Sequence, residues 1–190
     1  MSDLPFDPRP GLAGALASTG RTVAGIGADQ VGAPTPCGEM DTGTLLGHLV
    51  GGMDWFSGVA ESGAGAPFPE TPPITEALAA TFDASADRLR AAWAADETLT
   101  REYPMPWGPA PGWQLVSYGM VEVLVHGWDL AKATGQPADL PDDLAETALF
   151  SVQQWGEETL RQPGMFGPAV PVADDASPTD RLVAFLGRTP

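Results

Sequence analysis

The chain has 190 residues, of which 43% are hydrophobic, and these values fit one globular domain and argue against wholesale disorder. Nine basic and 25 acidic residues give a formal net charge of −16, so the chain cannot build a basic patch for nucleic acid or for an anionic membrane surface. The only cysteine is Cys37, which excludes an intrachain disulfide and a metal cluster built from cysteines.

The sequence shows neither a recognisable targeting segment nor a membrane span. Its first residues lack the charged segment and following apolar run of a signal peptide. No stretch approaches the roughly 20 apolar residues of a membrane-spanning helix. We therefore expect a cytoplasmic protein whose partners are small molecules, with no nucleic acid and no membrane among them.

Apolar residues recur every three to four positions in most of the chain, and this spacing predicts amphipathic helices separated by Gly/Pro-rich loops. The predicted helices cover about residues 10–30, 42–59, 74–95, 113–134, 141–160 and 180–186. We expect a short extended piece at 101–105 and loops at 61–73 and 162–178.

Capping residues mark several of these boundaries. Asp41 is a suitable N-cap for the second helix, Gly135 is a typical stop after the fourth, and Pro141 favours the first turn of the fifth. Because no segment alternates as a strand and no internal repeat is present, the sequence predicts an all-α fold with a helix-bundle core. We treat residues 1–190 as a single domain, with the bundle over about 10–134 and a C-terminal extension over about 135–190.

The chain has two histidines, and both fall on predicted helices. His48 follows Leu45 by three residues, so it points inward with the apolar face. His126 follows Glu122 by four residues, which places both side chains on one helix face, one turn apart. A carboxylate and an imidazole so placed can bind one cation, and His48 from the second helix would complete a His/Glu/His set.

Three ligands on one side of a divalent ion leave positions open for water or substrate, as in catalytic rather than structural zinc sites. Two imidazoles and one carboxylate also suit iron, nickel or manganese, so the ligands alone do not name the metal. The plainer alternative is that Glu122 and His126 form an ordinary polar pair and that His48 is a hydrogen-bonded core residue. The apolar flanks of Glu122 favour the metal, because a buried glutamate needs a partner.

Other residues are weaker candidates. Tyr118 and Asp129 continue the stripe of Glu122 and His126 and could orient a ligand, although packing and solvated roles are the alternatives. Cys37 has no basic neighbour in sequence, so we expect an inert thiol rather than a nucleophile. Four tryptophans could wall a pocket or pack in the core: Trp55, Trp107, Trp113 and Trp128.

Four segments carry a more specific resemblance: PTPC at 34–37, LLGHLVGG at 45–52, EVLVHGWDLAKATGQ at 122–136, and FGPAVPVADDASPTDRLVAFLGR at 166–188. They resemble an actinobacterial family of metal-binding proteins related to mycothiol-dependent maleylpyruvate isomerase, in the DinB-like superfamily. The resemblance implies an up-and-down four-helix bundle with a divalent metal at one end. Carried over by motif, the ligands are His48, Glu122 and His126, the three residues that the helical spacing also selects.

This resemblance implies zinc and mycothiol as cofactors of a thiol-dependent transferase or isomerase, and a homodimer, because members of the superfamily often pair. The related isomerase has a separate C-terminal domain where this chain has a short extension, so no thiol-binding residue is carried over. A general base could come from Asp54, Asp129 or Tyr118. Two other functions stay open: a non-catalytic bundle that binds a metal or small molecule, and a degenerate member in which His48 and Glu122 meet only each other or water.

Overall fold

The computed structural model describes residues 4–38, 40–161 and 165–190. Its helices are α1 (Arg9–Ala24), α2 (Thr42–Ser62), α3 (Leu78–Ala92), α4 (Asp96–Thr100), α5 (Gly112–Thr134), α6 (Asp142–Gln154), α7 (Glu157–Leu160) and α8 (Pro178–Phe185). Two short strands, β1 (Glu102–Tyr103) and β2 (Ala110–Pro111), pair antiparallel, with Tyr103 opposite Ala110.

The centre of the molecule is a four-helix bundle built from α1, α2, α3 and α5. α5 packs against α1 and α2, and α3 packs against the same two helices from the other side. Each helix turns an apolar stripe inward, and one residue from each stripe shows the result: Leu16, Leu45, Phe82 and Leu124 are all buried. The predicted all-α fold with a four-helix bundle is confirmed.

The caps of α2 and α5 agree with their sequences. The Asp41 carboxylate accepts a hydrogen bond from the Thr44 backbone N–H at 2.8 Å, which satisfies one of the unpaired donors in the first turn of α2. α5 ends at Thr134 and is followed by Gly135, whose φ of 69° lies in the left-handed region that favours glycine. These two helices carry the three candidate metal ligands.

Several predicted boundaries are wrong. The first helix ends at Ala24 rather than at residue 30, because Gly25 and Gly27 interrupt it and only a 3-10 turn at Ala28–Gln30 follows. The third begins at Leu78 rather than at 74 and ends at Ala92 rather than at 95.

The C-terminal part also differs from its prediction. The fifth helix is divided: α6 stops at Gln154, and Gly156, with a φ of 80°, separates it from α7. The last helix begins at Pro178 rather than at 180. Ser177 is its N-cap, and the Ser177 hydroxyl oxygen accepts a hydrogen bond from the Asp180 backbone N–H at 3.0 Å. Of the predicted loop at 162–178, residues 162–164 lie outside the described residues.

The extension returns the chain to the bundle. α6 and α8 pack on each other, and α6 also contacts α5 and α1. Leu182 and Val183 of α8 are fully buried in the same hydrophobic core as the bundle residues. Within the described ranges, no helix combines the length and the apolar character that crossing a bilayer requires.

The loop between α2 and α3, residues 63–77, packs its backbone directly against one face of α2. Gly43, Gly47 and Gly51, each four residues from the next, form this face. The Ile74 N–H donates to the Gly43 carbonyl oxygen at 3.0 Å, and a Cβ atom at Gly47 would overlap the carbonyl oxygen of Pro72. The loop can approach this closely only because these α2 positions lack side chains, and it lies along the helix that carries His48.

The close approach can be tested with two glycines of α2. Gly47→Ala should destabilise the protein by about 1–3 kcal/mol, because the new methyl group must displace the backbone of Pro72. At Gly58→Ala, in the same helix, the new methyl group meets no atom within 4 Å beyond its chain neighbours and the backbone of its own helix. This change should stabilise the protein by roughly 0.5–1 kcal/mol through helix propensity. Urea unfolding measures both changes, and shifts of the same sign and size would contradict this packing.

Candidate metal centre

Three side chains from two helices of the bundle converge as the helical spacing predicts. His48 comes from α2, and Glu122 and His126 come from α5. One ligand atom from each of them lies within 4.8 Å of the other two. His126 Nε2 is 3.2 Å from Glu122 Oε2, and the rings of His48 and His126 meet edge to face with centroids 5.2 Å apart. These atoms are close enough to share one divalent cation.

The centre is buried on one side and open on the other. His126 is almost completely enclosed, whereas 30% of the Glu122 side chain is exposed, and His48 is only partly buried. A cation bound by these three residues would therefore keep a path to solvent. This asymmetry is typical of catalytic metal sites, which need an open coordination position.

Asp129 orients His126 from the far side of the ring. His126 Nδ1 lies 3.1 Å from Asp129 Oδ2, and Asp129 is fully buried. A carboxylate can only accept, so this contact places a hydrogen on Nδ1 and leaves Nε2 directed at Glu122. Metal-ligating histidines commonly donate their other N–H to a carboxylate in this way. The orienting role that the sequence suggests for Asp129 thus has a geometric basis.

Arg188 neutralises the buried Asp129. Its Nη2 donates to Asp129 Oδ2 at 2.8 Å and its Nε donates to Oδ1 at 3.3 Å, while Nη1 donates to the Leu186 carbonyl oxygen at 3.1 Å. Arg188 follows α8, so the packing of the extension on α6 delivers it to the bundle. Neither the helical spacing nor the carried-over ligand motif indicates Arg188 as part of the site, although it ends the last of the four family-like segments.

Cys37 lies beside the same group. Its Sγ is 3.7 Å from Arg188 Nη2, and Cys37, His126 and Asp129 form a second group with ligand atoms within 4.8 Å of one another. A cation in this second group would face the guanidinium of Arg188 at close range. We therefore interpret it as a network that holds His126 rather than as a metal site. Cys37 has no basic neighbour in sequence, but the fold brings the guanidinium of Arg188 beside its thiol. The expectation that this thiol is inert stays a prediction.

The charges of the site follow from this network. Burial disfavours the charged form of His126, but its partners Asp129, Cys37 and Glu122 outweigh burial and raise the pKa of His126 well above its ordinary value. Burial would raise the pKa of Glu122, but the hydrogen bond and charge of His126 lower it. Burial would also raise the pKa of Asp129, but its hydrogen bonds with His126 and Arg188 lower it. Burial, with the charge of His126, lowers the pKa of His48 and leaves its imidazole neutral.

The remaining sequence candidates are Tyr118, Asp54 and the four tryptophans. The Tyr118 hydroxyl accepts from Gln114 Nε2 at 2.6 Å and its ring packs on Trp155, while Asp54 forms an exposed ion pair with Arg88 at 3.3 Å. Neither residue is tied to the histidines by these contacts. Of the tryptophans, Trp113 packs on Phe6, and Trp128 is buried with Lys132 over its ring; Trp55 and Trp107 pack on each other.

The chain is similar to proteins of one family. Residues 12–131 match the family model described as the mycothiol maleylpyruvate isomerase N-terminal domain. Two uncharacterized proteins of Mycobacterium tuberculosis, from strains CDC 1551 and H37Rv, are each 36% identical over 169 residues, which cover 88% of this chain and 90% of theirs.

Solved structures of similar fold agree with this match. The crystal structure of the mycothiol-dependent maleylpyruvate isomerase aligns with a TM-score of 0.60 and 18% identity over 76% of this chain and 68% of that chain. A histidine-to-alanine mutant of that enzyme aligns over the same shares with a TM-score of 0.58 and 18% identity. At this identity the likeness shows a common fold.

The importance of the buried ion pair can be measured with two arginines of the C-terminal segment. Arg188→Met should destabilise the protein by about 3–5 kcal/mol, because it leaves the Asp129 charge buried without its cation. Arg181→Met removes an exposed pair with Glu146, whose atoms are 3.7 Å apart, and should cost less than about 1 kcal/mol. Similar urea midpoints for the two variants would contradict the role assigned to Arg188.

Proposed function

The chain belongs to the mycothiol maleylpyruvate isomerase N-terminal domain family, a thiol-dependent isomerase-like family, and from this membership we propose a function in metal-dependent thiol chemistry. His48, Glu122 and His126 bind one divalent ion, and the protein uses it in a reaction that consumes or recycles a low-molecular-weight thiol such as mycothiol. The observation that supports this most is the convergence of these three side chains from α2 and α5 to within 4.8 Å.

The donor set fits a divalent metal. Two imidazole nitrogens and one carboxylate oxygen suit zinc best in an open site, and iron, nickel and manganese are compatible with the same ligands. A divalent ion bound there supplies Lewis acidity, which favours the thiolate form of a thiol and polarises a carbonyl oxygen. The strongly acidic chain makes such a local positive charge necessary for any anionic reactant.

The residues around the ligands have distinct tasks in this proposal. Asp129 holds the hydrogen on Nδ1 of His126, so a metal that displaces the proton shared by Nε2 and Glu122 would bind Nε2. Arg188 keeps Asp129 ionised in its buried position. The neutral His48 offers its nitrogen lone pair, and the partly exposed Glu122 marks the side from which a reactant enters.

Metal content tests the proposed site directly. Untagged wild-type protein, prepared without chelators, should hold about one divalent ion per chain by elemental analysis, because all three ligands are present in one place. His126→Ala, His48→Ala and Glu122→Gln should each lose it. Glu61→Gln is the matched control, since Glu61 pairs with Arg88 on the surface and should keep the ion. Absence of metal from wild type after zinc, nickel and iron are offered would overturn the proposal.

A thiol-dependent rate separates an enzyme from a binding bundle. We expect the wild type to accelerate the loss of free mycothiol in the presence of chlorodinitrobenzene, and the mycothiol-dependent isomerisation of maleylpyruvate is assayed beside it. His126→Ala should reduce either rate to that of the solution without protein, because it removes a ligand, and Glu61→Gln should not. Metal binding without any rate on these and related electrophiles would favour the non-catalytic bundle.

A further inference from the structure

Beside the ligand cluster, three aromatic rings adjoin one another in a row, here called the aromatic strip: Phe68, Trp55 and Trp107. Trp55, in the middle, is half-buried. The Phe68 ring packs on His48 with centroids 5.3 Å apart, Trp55 lies 6.1 Å from Phe68, and Trp107 lies 6.0 Å from Trp55. Phe68 and Trp107 remain 47% and 59% exposed. The strip thus runs from a candidate metal ligand to the protein surface.

Three separate segments of the chain build the strip. Trp55 comes from α2, Phe68 from the loop that covers the glycine face of α2, and Trp107 from the turn between β1 and β2. The two loops are tied together, because the Gly65 N–H donates to the Pro104 carbonyl oxygen at 2.9 Å. Trp55 Nε1 donates to the Ala66 carbonyl oxygen at 2.8 Å. The strip is therefore held in place before any ligand arrives, which lowers the entropic cost of binding.

The polarity of the strip limits what it can bind. The indole N–H of Trp55 is already used within the protein, so this residue offers its ring and no donor. The strip contains no cation. Among the described residues, the only permanently charged cation of the adjoining cluster is Arg188. Its guanidinium already donates two hydrogen bonds to the Asp129 carboxylate, so its charge is paired within the protein. Beyond the one divalent ion that the proposed centre binds, such a surface offers no partner for the second carboxylate of a small dicarboxylate.

Exposed aromatic rings have a free-energy cost that a ligand can recover. Contiguous apolar surface on a soluble protein commonly marks a binding site, and small-molecule sites combine apolar walls with a few convergent polar groups. Here the rings form the wall, and His48, Glu122 and His126 are the polar groups. Neighbouring rings are tilted by 49° and 34°, so a flat, uncharged ring system can stack on one ring and meet the next at an angle, within the favourable spacing of aromatic pairs.

We propose that the aromatic strip is the substrate subsite of this protein and that it selects an uncharged, planar aromatic or conjugated electrophile rather than a small dicarboxylate. The proposal rests on the proposed function, since it names the substrate class of the same centre. Phe68 and Trp107 are specificity-determining residues: they hold the planar part of the substrate while its reactive group lies next to His48.

Binding of 2-naphthol, measured by isothermal titration calorimetry, tests the subsite, with maleate as the dicarboxylate probe. Wild type should bind 2-naphthol saturably and maleate more weakly. Phe68→Ala and Trp107→Ala should each weaken 2-naphthol binding by about tenfold, a loss in keeping with a lost ring–ring contact and its buried area. Phe150→Ala is the matched control, because Phe150 is 63% exposed on α6, outside the strip, and should leave the affinity unchanged.

The outcomes are separable. Failure of wild type to bind 2-naphthol, unchanged affinity in both strip variants, or tighter binding of maleate would overturn the subsite. Sedimentation velocity tests whether a second copy of the chain occupies the strip instead. A wild-type dimer that becomes a monomer in Trp107→Ala would make the strip a protein interface and would overturn the subsite proposal. Metal content is measured on the same samples. A wild type without metal but with strip-dependent 2-naphthol binding would refute the metal site and leave the subsite standing.

Discussion

The candidate site depends on a buried ion pair between Asp129 and Arg188. Removing two charges from water costs several kcal/mol per ion, and the protein recovers this cost only where the geometry is good and the remaining hydrogen-bonding groups are satisfied. Arg188 meets that condition through two bonds to Asp129 and one to the Leu186 carbonyl oxygen, and Asp129 also faces His126. The end of the chain thereby determines the orientation of a candidate metal ligand, and the extension belongs to the site.

His126 separates two environments as a result. On the side of Nδ1 lies a closed network in which Asp129, Arg188 and Cys37 satisfy one another. On the side of Nε2 lies an open one, with Glu122 partly exposed and the aromatic strip leading away from His48. Positioning and chemistry are thus assigned to opposite faces of one imidazole.

The sequence predicted the parts of this site that depend on local periodicity. Four residues of helix bring Glu122 and His126 together wherever the helix forms, and the inward face of α2 supplies His48. Local periodicity does not indicate contacts between distant segments: Asp129 and Arg188 are 59 positions apart, and Cys37 and Arg188 are 151 apart. Phe68 was missed because a Gly/Pro-rich loop has no periodicity that indicates which side chain faces a site.

The helix that carries His48 is unusual for so central an element, because five of its 21 residues are glycines. Relative to alanine, that composition weakens the isolated helix by roughly 4–5 kcal/mol, so α2 owes its form to its neighbours rather than to its own propensity. The loop docked on Gly43, Gly47 and Gly51 is one of them. If that loop detached, the middle of α2 would open locally. Hydrogen exchange would then show the loop and the backbone around His48 opening as one cooperative unit.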